Sequence, residues 1–303
     1  MPRACPGSIP TDLERSPQLP HHDPAMSILR VCSGFAVLLA GTAGTSRQPA
    51  ATYDVDAIRY ATVAGFPVRG LIAGADTSRR MDIAMAVWLV RGNGRTVLVD
   101  AGFYRDKFVQ RWKPVDFSSP AAAVERAGVR PQDVTDIIVS HIHWDHADGV
   151  DLFPNARVWI QKDEYQHHIG PLGEPRDRAV DSADATMFAS LSKRGRVQLV
   201  NGDSTEIIPG ITVFTGGKHT FGSQYATVRT KNGTVVIASD NLYLYENLDR
   251  HRPIAQTLDS LSNLRAQERM TRLASDRRLI VPGHDPAVFV RFAKPGNGIA
   301  RIE

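Results

Sequence analysis

Short apolar runs separated by Gly, Asn and Pro recur between residues 82 and 281. Residues 82–90 and 96–100 flank Gly92, Asn93 and Gly94, so they predict a hairpin whose second strand ends at Asp100, Ala101 and Gly102. Residues 136–140 form a buried strand that delivers His141. Further strands are expected at 158–161, 197–200, 211–214, 224–229 and 234–238, with Asn232 and Gly233 turning the last pair. Residues 278–281 make a final strand, followed by Pro282, Gly283 and His284. Helical segments interrupt both halves. At 119–127, Ser119 can cap the helix, Pro120 suits its first turn and Gly128 stops it. A second helix is expected at about 162–168. Residues 256–274 read as amphipathic, with Leu258, Leu261, Leu264, Met270 and Leu273 near one face. Residues 169–187 combine Gly, Pro, Asp and Arg without a period and predict a loop or lid. The pattern suggests an α/β fold of two packed sheets with helices outside.

The N-terminus has a different texture. Residues 1–25 are Pro-rich and polar, and are expected to be disordered or an upstream over-extension. From Met26 a short basic start, an apolar run at 31–40 and a small-residue tail make the three-part pattern of a secretory signal, so residues 26–50 read as signal peptide and linker. A folded hydrolase domain is then expected over 51–303, in the periplasm or secreted if the signal acts and in the cytoplasm otherwise. No window approaches the apolar length of a membrane span. The net charge of +4 is spread along 303 residues, without the basic stripe that nucleic acid would need. Only Cys5 and Cys32 are present, both near the N-terminus, so any metal site in the folded part must use His, Asp and Glu.

Those residue types concentrate just past strand ends. His141 and His143 are two apart in an extended segment, so both rings can meet one ion. Asp145 and His146 follow where the chain turns. His219, Asp240 and His284 follow three later strands. The seven divide into His141, His143 and His219 for one ion, Asp145, His146 and His284 for a second, and Asp240 as a carboxylate bridge. Imidazole with a few carboxylates suits zinc best, with manganese, iron and cobalt also compatible. His167, His168 and His251 lack such spacing and read as ordinary surface or core residues. His21 and His22 belong to the tail.

The motif at 141–146, with His219, Asp240 and His284, resembles the metallo-β-lactamase superfamily over about residues 55–303. Asp100, Ala101 and Gly102 look like that family's Asp-x-Gly element at the site floor. The resemblance implies a four-layer αβ/βα sandwich with a dimetal site at one edge of the two sheets. Zinc β-lactamases usually carry Cys where Asp240 stands. Glyoxalase-II-like members need more chain after the bridging Asp, and the nucleases carry large insertions. Tyr243, three residues after Asp240, together with Glu246 and Asn247, is most similar to the N-acyl-homoserine lactonase and pyridoxolactonase branch.

That branch implies a dizinc enzyme that opens lactone rings, acyl-homoserine lactones among them, by attack of a metal-bridging hydroxide. Tyr243 would hydrogen-bond the developing oxyanion, and Asp145 would both ligate and accept the proton of the attacking water. Trp144 is expected to pack under the site without a chemical role. A phosphotriesterase or arylesterase on the same metals is the alternative hydrolase. A non-catalytic metal protein or an iron oxidoreductase is the alternative outside hydrolysis, and the intact His146 argues against the diiron electron carriers of the family. The partner is then a small ester or lactone, with a homodimer compatible by resemblance. Segments 66–82 and 169–195 are expected to shape the pocket.

Overall fold

In the computed structural model, which describes residues 50–296 and 298–303, the predicted strands gather with several others into two sheets. The expected tail at 1–25 and all but the last residue of the expected signal segment lie outside the described residues. Strands β1 (Asp54–Pro67), β2 (Arg80–Gly92), β3 (Arg95–Val99), β4 (Asp136–Ile138), β5 (Arg157–Gln161) and β6 (Val197–Val200) build most of the first sheet. Strands β7 (Thr205–Ile208), β8 (Ile211–Thr215), β9 (Gln224–Thr230), β10 (Gly233–Ser239) and β11 (Ile280–Pro282) form the second, in the order β11-β10-β9-β8-β7. The chain then returns as β12 (Ala293–Gly296) and β13 (Ile299–Arg301). The first sheet thus has eight strands, ordered β12-β13-β1-β2-β3-β4-β5-β6.

The predicted turn between β2 and β3 forms, with Asn93 at φ 50° and Gly94 at φ 70°, the two left-handed residues that such a hairpin needs. In the later hairpin Gly233 pairs with Thr230, so Lys231 and Asn232 make the turn, one residue earlier than expected. Strands β3 to β6 are parallel and need crossovers. Helices α1 (Asp106–Trp112) and α2 (Pro120–Arg126) follow β3, α3 (Trp144–Ala147) follows β4, and α4 (Lys162–His168) and α5 (Ser182–Lys193) follow β5. Helices α6 (Tyr245–Asp249) and α7 (Ser260–Leu273) connect β10 to β11, and α8 (Val288–Arg291) precedes β12. Ser119 caps α2 as expected, accepting from Ala122 N.

Side-chain alternation along β2 defines the layers. Ile83, Met85, Val87 and Leu89 pack towards the helices, whereas Ala84, Ala86, Trp88 and Val90 pack against the second sheet. On the second sheet Val235 and Ile237 face the first, and Val236 and Ala238 face the side of α7 that holds Ala266 and Met270. The layers run helices, sheet, sheet, helices, which is the expected αβ/βα sandwich. Trimming one of these buried side chains, such as Leu89→Ala, costs about 2–5 kcal/mol.

Beyond that turn, three expectations need correction, and the longest strand was not expected at all. The 14-residue β1 is missing from the pattern reading because Asp56 and Arg59 interrupt it, yet Asp56 is buried and paired with Arg91 and Arg301. The lid candidate at 169–187 ends early, because Asp181 accepts from Ala183 N and starts α5 at Ser182. The strand at 278–281 is not final, since β12 and β13 follow. The helix expected over 256–274 starts only at Ser260, and its buried face is Asn263, Ala266, Gln267 and the expected Met270, while Leu258 before it and Leu261 on it are 70% and 66% exposed. Hydrogen bonding overrides hydrophobicity there: Asn263 accepts from Ile254 N (3.0 Å) and donates to Asn241 O (2.9 Å), and Gln267 donates to Arg252 O (3.0 Å).

Candidate metal centre

Strand ends from both sheets converge on one edge of the sandwich. Asp100 follows β3 in a left-handed backbone conformation, φ 59°, which Asp tolerates better than most residues. Its buried carboxylate accepts from Ser140 N (2.8 Å), Ser140 Oγ (3.0 Å), Ser239 Oγ (2.8 Å) and His146 Nδ1 (2.8 Å). One side chain therefore joins the ends of β3, β4 and β10.

These bonds also decide which ring nitrogens face inward. Ser140 Oγ donates to Asp100 and so accepts from His141 Nδ1 at 2.9 Å. His219 Nδ1 donates to Gln256 O (2.7 Å), and His284 Nδ1 to Ala84 O (3.0 Å). With Nδ1 carrying the proton, the Nε2 lone pairs of His141, His146, His219 and His284 are left for the centre. His143 differs, presenting Nδ1, which lies 3.0 Å from His141 Nε2 and 2.9 Å from His219 Nε2. Three imidazole nitrogens this close cannot all hydrogen-bond one another. Around a divalent ion at about 2.0–2.1 Å their spacing is natural.

Asp240 stands between the two groups. Its Oδ2 lies 3.3 Å from His219 Nε2 and 3.7 Å from His141 Nε2. Its Oδ1 lies 2.9 Å from His284 Nε2 and 3.3 Å from His146 Nε2. Asp145 Oδ2 completes the second group, 3.6 Å from His146 Nε2 and 3.8 Å from His284 Nε2. Asp240 Oδ1 and His146 Nε2 are both buried and find no hydrogen bond of good geometry among the described residues. Buried polar atoms left so are costly, and a bound cation satisfies both. His141, His143, His219 and Asp240 thus fit one ion, and Asp145, His146 and His284 fit a second.

The electrostatics follow the same division. Burial, reinforced by the neighbouring histidines, holds His141 well below the ordinary imidazole range and takes His143 down to about 4. Both stay neutral, as ligands must. Burial also opposes charge on His146, but Asp240, Asp145 and Asp100 outweigh it and raise that group well above its ordinary value. Asp240 is held ionised: burial would raise it, and His146 and His284 lower it well below the usual carboxylate range. The pair of carboxylates at the floor draws positive charge inward.

All seven expected metal-type residues meet here. Tyr243 does too, with its hydroxyl 3.4 Å from His219 Nδ1. Burial, then Asp240 and Asp145, push its phenol well above the ordinary range, so it remains a proton donor. Trp144 stacks on Trp112 (5.3 Å between centroids) and Phe108 (4.9 Å) and lines the pocket beside the site, rather than packing under it. Among the described residues the His251 ring pairs with exposed Glu268. Of the supporting layer, Asp100 lies at the site floor as the resemblance implied, whereas Ser140, Ser239 and Glu164 were missed. Glu164, fully buried on α4, accepts from Ile142 N (3.0 Å), Thr220 Oγ1 (2.7 Å) and Gly222 N (2.7 Å), tying the loop of His141 to that of His219. A Cβ at Gly222 would overlap the Glu164 backbone. Ser140 and Ser239 adjoin ligand positions, the one signal that could have found them; Glu164 has none.

A pocket of about 280 Å³ opens above this floor. Val63, Phe66, Leu71, Ile83, Met85 and Trp112 give it an apolar wall, with Arg111, Arg178, Ala179 and Gln256 completing it. The segment 66–82 contributes Phe66 and Leu71, and 169–195 contributes Arg178 and Ala179, as expected. The stretch before β4 that supplies Arg111 and Trp112 was not foreseen.

Comparison with known proteins matches residues 85–284 to the family described as the metallo-beta-lactamase superfamily. An N-acyl homoserine lactonase of a Bacillus species is 27% identical over 54% of this chain and 60% of its own length. The chain thus spans about three-fifths of the curated relatives of that group. The N-acyl homoserine lactonase AiiB of Agrobacterium fabrum is 26% identical over 73% of this chain and 87% of its own. Among solved structures, a quorum-quenching N-acyl homoserine lactone lactonase superposes with a TM-score of 0.65 at 20% identity, covering 78% of this chain and 94% of its own. AidC, a dizinc quorum-quenching lactonase, superposes at 0.59 with 15% identity, covering 84% and 95%. At these identities the structural likeness is one of fold.

Proposed function

The chain belongs to the metallo-beta-lactamase superfamily, and from that premise we propose that it is a dizinc hydrolase opening lactone rings, with N-acyl homoserine lactones as its substrate class. The observation that carries this reading is Asp240, whose two oxygens address the two histidine groups separately. Relatives named as N-acyl homoserine lactonases and the apolar wall above a polar floor support the choice of substrate.

When bound, the zinc ions supply Lewis acidity and a water of lowered pKa. The ligands in this reading are His141, His143 and His219 for one ion, Asp145, His146 and His284 for the other, and Asp240 for both. The chain's own groups do the rest. The apolar wall takes the acyl substituent and excludes water from the floor. Tyr243, kept protonated, donates to the carbonyl oxygen as negative charge develops on it. Asp145, at the pocket floor, accepts the proton of the attacking water and returns it to the ring oxygen as the C–O bond breaks.

The test combines chelation with a substrate panel. Stripping the metal should abolish lactone opening, and zinc or manganese should restore it. Full activity in the stripped protein would end this reading. Rapid turnover of aryl esters or phosphotriesters without lactone opening would transfer the site to the phosphotriesterase or arylesterase alternative. We further propose that residues 26–50 direct export, on the strength of their three-part pattern. Sequencing the N-terminus of the cell-made protein tests this; a cytoplasmic protein that retains residues 26–46 would refute it.

A further inference from the structure

A second cluster of metal-type donors lies apart from the centre. His167 and His168 end α4, and Asp177 lies on the connection to α5. One donor atom from each falls within 4.8 Å of the others. His168 Nδ1 is 2.8 Å from Asp177 Oδ2, and His167 Nε2 is 3.7 Å from the same oxygen. Consecutive residues on a helix normally diverge. Here the helix stops at His168 and Ile169 is already extended (φ −116°, ψ 124°), which lets both rings meet the returning chain.

Each donor is held from behind. The His167 ring stacks on Phe221, with centroids 4.0 Å apart and planes 5° from parallel. Asp177 Oδ1 accepts from Ala179 N at 2.9 Å, so its other oxygen is aimed at the histidines. His168 is 3% exposed, and its Nε2 lies 3.5 Å from Glu164 Oε2. An imidazole with a carboxylate behind one nitrogen and a converging donor set before the other is the usual surrounding of a ligating histidine. The side chains of His167 and Asp177 are 42% and 36% exposed, so an ion can reach them from solvent.

We propose that His167, His168 and Asp177 form a separate single-ion site for zinc or a similar divalent transition metal, and that the ion fastens the 169–181 connection to α4. Two imidazoles and one carboxylate favour such ions over magnesium or calcium. With three protein donors the remaining positions fall to water, so the ion exchanges more readily than those of the buried centre. Asp177 directly precedes Arg178 and Ala179, which line the pocket, so fastening this connection also fixes part of the wall. The rival occupant of His168 Nδ1 is a proton. Burial opposes a charge on that ring, but Glu164 and Asp177 prevail and raise it above its ordinary value.

The test counts metal and does not depend on turnover, so it can fail while the proposed hydrolase reading stands, and the reverse. The full chain, dialysed to its resident metal content, is titrated with Zn²⁺, and bound zinc is measured by elemental analysis. Wild type should take up one further equivalent. His167→Ala and Asp177→Asn should each lose that equivalent while keeping the resident content. Hydrogen exchange over 170–181 should slow on the addition in wild type only. No further uptake by wild type, or uptake that survives both substitutions, overturns the proposal. Loss of resident metal in both variants also overturns it, because the site would then not be separate.

Discussion

His141, Asp240 and His284 stand just past strands of both sheets, whereas Phe66, Trp112 and Arg178 line the pocket from the end of β1, the end of α1 and the connection to α5. The floor side chains are cross-braced by buried hydrogen bonds through Asp100, Ser140 and Ser239. The wall residues are held by packing, as where Trp112 stacks on Trp144 and on Phe66, with centroids 5.3 Å and 6.2 Å apart. A network in which one carboxylate serves four donors does not absorb a substitution, while a packed aromatic cluster tolerates some reshaping. In the proposed reading, the floor determines the chemistry and the wall selects among substrates.

Substitutions can break or sharpen this contrast. The largest effect is expected from Asp240→Ala, which removes the group facing both clusters: metal content should fall and lactone turnover should drop to background. A variant that kept its full metal content and its activity would abolish the distinction between floor and wall. Tyr243→Phe should lower kcat roughly 10²-fold with little change in KM, because the lost donor acts on charge that develops during the reaction. An unchanged kcat would assign Tyr243 to packing against His219. Asp100→Asn keeps a residue that tolerates φ 59° but turns an acceptor into a donor facing Ser239 or His146. Metal retention or activity should weaken about 10- to 100-fold, measured by competition with a chelator. Trp112→Ala should leave metal content intact and raise KM about tenfold for long-acyl lactones, with short-acyl substrates nearly unaffected. Equal effects on both chain lengths would show that the wall does not select.

Legibility in the sequence follows the same line. The floor could be read because its chemistry is concentrated in residue types rare in cores, placed just after apolar runs: His141, His143, Asp145 and His146 lie within six residues. Strands β2 and β3 could be read because a Gly/Asn turn separates them. The wall could be read only as the segments 66–82 and 169–195, since individual residues such as Trp112 and Met85 look like any core residue until the fold sets them around a cavity. Glu164 was invisible for a related reason. Its partners Ile142, Thr220 and Gly222 are distant in sequence, and an acid in the first turn of a helix ordinarily needs no further explanation. Strand β1 was lost because Asp56 breaks its apolar pattern, and the residues that neutralise Asp56 lie on β2 and β13. At α7, Leu258 and Leu261 pointed to the wrong face although Met270 and Leu273 did pack, because the loop after Asp240 needs Asn263 and Gln267 more than it needs a greasy contact.

The pairing of β1 with β13 has a consequence for biosynthesis. Asp56 opposes Arg301, so the first strand among the described residues waits for a residue 245 positions later before its outer edge is covered and its buried charge neutralised. His284 likewise emerges late. A ribosome delivering this polypeptide from its N-terminus cannot finish the metal centre before His284 has emerged, or the larger sheet before Arg301 has, and pairings so distant along the chain form slowly. A full ligand set is accordingly out of reach of any chain that has not yet emerged past His284, however much metal surrounds it.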